Sequence, residues 1–367
     1  MLTMLKLADI REKVTLRLKT ILEGVEGVLV PENQWVRRET GQPNDPGIDL
    51  RLRLAGLSAK NWELHIEVKG SGHPKQASQA IFSLKRAAEQ VLPGRKIYGV
   101  FAAPYISPES AKLCLEQGVG YLDLSGNCHL AFGTVHIHVE GKPNQYKPKR
   151  EQGSLFSPKA SRVLRVLLQG PLKPWKVVDL EEASSTSLGT VSTVRKELLK
   201  ELWADDSDRG LKITKPDAVL DAWAKADSWK RRTTVSEYSL LIHDQDEVAR
   251  KLHQLVEAQE HAFTQWYGAL LRRPHTTTDI ITLYVEAFPE EHFIKGELLG
   301  RRVESGGTLR LVEPKDRGVF IGMQHMEGLP VVSDIQLYLD LIDAGMRGDE
   351  AARELRNWAE FSGGWHV

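Results

Sequence analysis

Two short runs of alternating polarity constrain this chain more than any other stretch. Over residues 49–54 and 63–69 apolar and polar side chains alternate with the period of a half-buried strand. On the first run Leu50, Leu52 and Leu54 point one way, and Asp49, Arg51 and Arg53 the other. On the second, Leu64, Ile66 and Val68 share the core face, leaving Glu63, His65, Glu67 and Lys69 opposite. Pairing the runs as a hairpin through the polar connection 56–61 makes one core wall and one polar groove, with two carboxylates among cations. Such a groove suits a phosphodiester.

A chain of 367 residues is too long for one ordinary core and is expected to hold two or three domains. With 41% hydrophobic and 27% charged residues it reads as globular rather than disordered. The formal net charge of +0 provides no global basic field, so any nucleic-acid surface has to be local. Cys114 and Cys128 are the only cysteines, which argues against a disulfide framework and fits a reducing compartment. No run approaches the roughly 18 apolar residues of a membrane span, and the opening residues MLTMLKLADIREK lack the apolar core of a secretory signal. A cytoplasmic protein without a membrane partner is expected.

Residues 1–141 read as α, β, β, β, α, β, α, β. The first helix covers 8–24, with Ile10, Val14, Leu18, Ile21 and Leu22 at helical spacing; 27–36 is an apolar run of strand length. After the hairpin, Pro74 opens a helix with the stripe Ala77, Ile81, Leu84, Ala87, Ala88 and Val91, stopped by Pro93-Gly94. Residues 96–103 form a buried strand, Ser107-Pro108 caps another helix, and 121–127 (YLDLSGN) is a strand and turn continued in extended form to Glu140.

This order, with Asp49 on one strand, Glu67-Val68-Lys69 on the next and a helix directly after, resembles the PD-(D/E)xK nuclease superfamily. The resemblance implies a restriction-endonuclease-like α/β domain. It further implies that Asp49, Glu67 and the Val68 carbonyl hold Mg²⁺ and that Lys69 orients or deprotonates the attacking water. Magnesium is a hard cation that takes such oxygens, polarises a phosphate and lowers the pKa of bound water. Gln76 and Gln79, just after the motif, are placed to touch a base or phosphate. Proteins of this superfamily can keep the scaffold without the activity, so cleavage stays open. His136, His138 and Glu140 alternate along one strand, but their spacing of ~6.5–7 Å is long for one ion, and they read as an exposed strand face. Cys128-His129 has no partnering C-x-x-C for zinc.

Residues 142–156 form a linker carrying Lys142, Lys147, Lys149 and Arg150 around Tyr146. Residues 157–215 then read as three helices and a hairpin. Ser157-Pro158 starts the first helix, 177–183 is the second, and 187–202 the third, with Leu188, Val191, Val194, Leu198 and Leu199 inward. Its outer side carries Thr190, Ser192, Thr193, Arg195 and Lys196, a mixture of hydroxyls and cations suited to a major groove, where Arg195 can contact guanine bidentately. Arg209-Gly210 falls at the hairpin tip. The set resembles a winged helix-turn-helix; use in protein contacts alone is the competing reading.

In residues 216–367 we expect a helix over 216–230, a strand over 236–242, a helix over 244–260, an apolar element over 262–271, strands over 278–285, 309–314 and 319–321, and helices from 333 to 361. SLGTVSTVRKELL, LRLVEPKDRGVF and VVSDIQLYLDLIDAGMRGDEAARELR resemble the AbiEi-like antitoxins of type IV toxin–antitoxin systems. That resemblance implies autoregulatory DNA binding and neutralisation of a cognate toxin. The strand at Asp279 is similar to a nucleotidyltransferase strand, but Ile281 stands where the second acid belongs, so a degenerate nucleotidyltransferase-like α/β fold without transferase activity is expected.

The sequence therefore reads as a multidomain α/β protein: nuclease-like at 1–141, linker at 142–156, winged helix at 157–215 and antitoxin-like at 216–367. Three functions compete: an antitoxin-like transcriptional regulator, a Mg²⁺-dependent DNA endonuclease concerned with mobile DNA, and a protein-binding antitoxin that cuts nothing. The partners implied are double-stranded DNA, a cognate toxin and, for a palindromic operator, a second copy of the chain.

Overall fold

The computed structural model describes residues 6–31, 35–37, 48–55, 62–89, 96–146, 155–274, 278–345 and 347–364. The chain is mixed α/β and divides into two compact units, Met1–Gln152 and Gly153–Val367. Among the described residues no helix is long and apolar enough to cross a membrane.

The first unit contains α1 (Leu7–Glu23), β1 (Trp35–Arg37), β2 (Leu50–Arg53), β3 (Trp62–Val68), α2 (Pro74–Glu89), β4 (Lys96–Ala103), α3 (Pro108–Glu116), β5 (Gly120–Asp123), β6 (Cys128–Phe132) and β7 (Val135–Val139). Its seven strands lie in one sheet in chain order. Pairing is antiparallel from β1 to β3, parallel from β3 to β5, where α2 and α3 supply the crossovers that parallel neighbours need, and antiparallel again to β7. Ile10, Val14, Leu18 and Leu22 form one stripe of α1, and it buries against Leu50, Leu64, Ile66, Val100 and Leu122. On the opposite sheet face α2 and α3 cover Phe101, Ala103 and Tyr121.

Coverage on both faces overturns the expected open groove. The parallel register sets Glu67 beside Phe101 and His65 beside Gly99, which places the polar face of β3 on the side roofed by α2. Glu63, His65 and Glu67 are consequently only 7%, 2% and 4% exposed. Smaller differences follow from the same packing. Ala88, assigned to the stripe of α2, is exposed. Of the strand expected over 27–36, the described residues show a single bridge, Leu29 to Ala55, and the short β1; 32–34 lie outside them. The connection 56–61, Val91 and Pro93-Gly94 lie outside the described residues, as do Lys147, Lys149 and Arg150. Lys142, assigned to the linker, exchanges hydrogen bonds with the side chain of Asn127: its N–H donates to Asn127 Oδ1 at 2.8 Å and its carbonyl accepts from Asn127 Nδ2 at 3.1 Å.

The second unit begins with α4 (Pro158–Leu168), α5 (Val177–Ser184), α6 (Leu188–Lys200) and the hairpin β8 (Ala204–Ser207) and β9 (Gly210–Ile213). It continues through α7 (Pro216–Ala226), α8 (Trp229–Arg232), β10 (Thr233–Leu240), α9 (Gln245–Leu255), β11 (His261–Thr264), α10 (Gln265–Arg272), β12 (Ile281–Val285), α11 (Glu291–Glu297), β13 (Gly300–Val303) and β14 (Leu309–Pro314). β15 (Gln324–Met326), β16 (Leu329–Val331), α12 (Asp334–Ile342) and α13 (Gly348–Arg356) complete it. A second sheet has the order β13-β10-β14-β12-β11-β16-β15. One core joins Leu164, Leu167 and Val194 to Trp223, Ile335, Leu355 and Phe361, so α4–α6 and the carboxy-terminal helices share their interior.

Several elements differ from expectation. The helix expected over 216–230 stops at Ala226 and Trp229 starts a separate turn. The apolar element at 262–271 is a strand followed at once by a helix, the break falling at Gln265, whose φ is 50°. The strand expected at 319–321 is a 3₁₀ turn, Arg317–Phe320, capped by Asp316. β13, β15, β16 and α11 are additional elements of three to seven residues, too short for an alternation to be read with assurance.

Candidate functional site

At the end of β3 nearest α2 the structure brings Asp49, Glu67, Val68 and Lys69 together. β2 pairs with β3 in the register Leu50 to Ile66, so Asp49, just before β2, arrives beside Glu67 and Val68. Asp49 Oδ2 accepts from the Val68 N–H at 2.8 Å, and its Oδ1 pairs with the Arg11 guanidinium from α1. Lys69 Nζ donates to Glu67 Oε1 at 2.6 Å. Glu67 Oε2 is buried and, among the described residues, accepts no hydrogen bond. Burial raises the Glu67 carboxyl above its ordinary value; the hydrogen bond from Lys69 works against that rise and the Asp49 charge adds to it.

A second polar layer lies one step back along β3. Glu63 Oε1 is 3.1 Å from His65 Nε2, and Arg53 Nε donates to Glu63 Oε2 at 3.1 Å. Burial opposes ionisation of Glu63, but the bonds from His65 and Arg53 together outweigh it and hold the carboxyl below its usual range. Burial pushes His65 down, so the ring favours its neutral form.

Two carboxylates, Asp49 and Glu67, meet at one strand end, and among the described residues one buried Glu67 oxygen accepts no hydrogen bond, a pair that suits a hard divalent cation in kind; Val68 presents its N–H to Asp49 there. Glu67 fits such an ion directly. Asp49 fits once Arg11 moves, because the guanidinium now holds one of its oxygens. Sequence reasoning missed Arg11, which stands 38 positions from Asp49 and carries no local signal of the contact. Gln76 is half-buried and Gln79 exposed on α2, and among the described hydrogen bonds none joins either to Asp49 or Glu67.

His136, His138 and Glu140 form an exposed face, as expected, and His129 of β6 beside them is half-buried. His129 and His138 approach at 2.9 Å through their Nδ1 atoms, His138 is 42% exposed, and Tyr121 donates to Glu140 at 3.1 Å. Among the described residues no group of three or more His, Cys, Asp or Glu is arranged to hold a metal. Cys114 and Cys128 are buried, and burial pushes both thiols up to about 12.

In the second unit, Ser187 caps α6 by accepting from the Thr190 N–H at 3.2 Å, and Val191, Val194 and Leu198 anchor the helix to the core. Ser192, Thr193 and Lys196 face solvent, while Thr190 is half-buried, its hydroxyl 3.0 Å from Ser187 Oγ. Leu188, expected inward, is 46% exposed, since it opens the helix ahead of the packed turns. Ser157 occupies the cap position of α4 but makes no side-chain cap bond. Arg195 is ion-paired with Asp206 of β8, a contact that competes with the expected base contact. Arg209 is exposed at the hairpin turn, in a segment that also carries Asp205, Asp206 and Asp208.

Residues 212–359 match the model of a family described as "Transcriptional regulator, AbiEi antitoxin, Type IV TA system", over less than half of the chain. No curated protein matches. Among solved structures, the crystal structure of a repair endonuclease from Pyrococcus abyssi is similar at 16% identity over 33% of this chain, with a TM-score of 0.24. The chain spans about half (47%) of that structure's length. A likeness of this degree carries no argument.

Proposed function

We propose that the protein is a DNA-binding transcriptional regulator of the antitoxin type, in which residues 157–215 act as a winged helix with α6 in the major groove. The match of residues 212–359 to the regulator and antitoxin family carries this reading. The solvent face of α6 supports it: short hydroxyl side chains and Lys196 project from a helix whose opposite side is locked into the core. The acidic segment around the β8–β9 turn disfavours phosphate, so α6 rather than the hairpin does the reading. Double-stranded DNA and a cognate toxin are the partners this reading carries.

Fluorescence anisotropy with DNA from upstream of the protein's own gene tests it. Specific binding is expected, with Lys196→Ala reducing the slope of log K against log salt by about 1. Equal affinity for upstream and unrelated DNA of the same length would sink the reading.

A second reading, a Mg²⁺-dependent DNA phosphodiesterase, is favoured by one observation, the buried unpartnered oxygen of Glu67 beside Lys69. Glu67, Asp49 and the Val68 carbonyl would hold the ion, which when bound supplies charge stabilisation at a phosphate. Lys69, at 2.6 Å from Glu67, is placed to orient or deprotonate a water. Removing Arg11 frees Asp49, so Arg11→Ala is expected to tighten Mg²⁺ binding in calorimetry, and Glu67→Ala to abolish it. Absence of Mg²⁺ binding in both wild type and Arg11→Ala, together with no cutting of plasmid or upstream DNA, would eliminate this reading.

A further inference from the structure

A cavity of about 320 Å³ opens in the second unit where α4, α7 and α8 approach the Lys315-Asp316 turn. Its wall holds four cationic side chains, Arg165, Arg231, Arg232 and Lys315, against two acids, Asp227 and Asp316. Both acids are engaged. Asp316 accepts a bidentate contact from Arg162, at 2.8 and 3.0 Å, and Asp227 accepts from Arg232 Nε at 2.8 Å. Positive charge is therefore left over at the wall.

Arg165 is the telling member. It is only 4% exposed, yet its hydrogen bonds go to neutral groups, Gln336 Oε1 at 2.5 and 3.0 Å and Ser161 Oγ at 2.8 Å. No carboxylate within the described residues forms an ion pair with it, and its guanidinium lies 4.9 Å from the centre of the Trp223 ring. A buried guanidinium with no acid in direct contact is costly; burial, followed by the nearby charge of Arg232, pulls its pKa down to about 10 against the weaker, more distant pull of Asp340 and Asp316. Ser157, Ser161 and Ser228 also line the wall, and the remainder is apolar. Phe156 stacks one face on Trp223 at 6.1 Å, and Pro158, Ala226 and Val319 continue the surface.

We propose that this cavity is a binding site for a small phosphate monoester carried on a flat apolar ring, the chemistry of a mononucleotide. The phosphate belongs among Arg165, Arg231 and Lys315, because a doubly charged group with three acceptor oxygens answers several converging cations better than a carboxylate does. The ring lies against the apolar wall. The volume is at the small end of ligand cavities and admits one such molecule.

The test uses the full chain, titrated with nucleoside 5′-monophosphates and separately with inorganic phosphate, followed by calorimetry and thermal unfolding. Saturable one-to-one binding of a monophosphate with an upward shift in Tm is expected. Arg231→Glu and Lys315→Glu should each weaken it at least tenfold. Both side chains are exposed, and the one hydrogen bond shown for them is Arg231 to the Ala226 carbonyl at 2.6 Å, so the variants should fold. Lys251→Glu on α9 is the control for charge alone and should change nothing. Lack of saturable binding at millimolar ligand would overturn the proposal, as would binding that both lining variants leave intact. Inorganic phosphate binding as tightly as any nucleotide would overturn the assignment of the apolar wall.

Discussion

Glu67 is a carboxylate that the sheet buries and that, among the described residues, accepts a side-chain hydrogen bond at one of its two oxygens. An acid held above its ordinary value of 4.5 binds its proton more tightly when folded, so the stability it contributes is complete below pH 4.5 and is lost as pH rises through the folded value. Glu67→Gln removes the charge and keeps an acceptor for Lys69. It is expected to raise the unfolding midpoint at pH 7 relative to wild type and to leave it unchanged below pH 4.5; equal shifts at both pH values would exclude the charge as the cause. Arg195 presents the opposite situation, a cation already occupied. Asp206→Ala releases it and removes an acid from the DNA-facing side, so affinity for upstream DNA should rise by about 0.5–1 kcal/mol, the scale of an exposed ion pair. Anisotropy at fixed salt checks this, and a loss of affinity would show that the pair positions α6 rather than masking it.

At the scale of elements, the hairpin after α6 depends on Gly210. Its φ is +119°, and a Cβ there would stand 2.3 Å from the Trp175 carbonyl, which lies across the isolated bridge from Leu211. Gly210→Ala is expected to destabilise the second unit by at least ~1–3 kcal/mol, the range for a strained backbone position, read from urea unfolding; a change under about 0.5 kcal/mol would mean that the bridge yields. Elements with several turns of periodicity were legible from the residues alone. α1 and α6 fall within one or two positions of expectation and α2 starts at Pro74 as expected, since their apolar stripes repeat over three turns or more and Pro74 and Ser187 mark two of the starts. Two neighbouring elements that share one apolar run, such as β11 and α10, were not separable. The chain changes direction there at a single residue, Gln265, and neither period is long enough to announce itself.

Across the second unit, a buried polar network ties distant segments to one another. Asp340 is fully buried. Its Oδ1 accepts from Arg232 at 2.7 Å, Gln336 at 2.6 Å and Tyr284 at 3.2 Å, and its Oδ2 accepts from Thr264 at 2.5 Å. Gln336 in turn binds Arg165 of α4. The network thus links α4, α8, β11, β12 and α12 within one compact unit, beside the apolar core they share. Asp340→Ala strands the Arg232 guanidinium with Asp227 as its remaining acid, and ~3–5 kcal/mol of destabilisation is expected, as for breaking a buried pair. Urea unfolding measures it; a loss below about 1 kcal/mol would mean that the network rearranges around the gap.

The strand alternation around Asp49 and Glu67, the helices with long stripes and the hydroxyl-rich face of α6 are local properties, because each follows from spacing within a short run of residues. Long-range packing sets the roof of α2 over the polar face of β3, the contact of Arg11 with Asp49, the hold of Asp206 on Arg195 and the place of Arg165 at a cavity wall with no acid in direct contact. Each of these depends on register, layer order or a contact between residues far apart in the chain. Local periodicity carries no information about which groups arrive from elsewhere, or about how much water is left when they do.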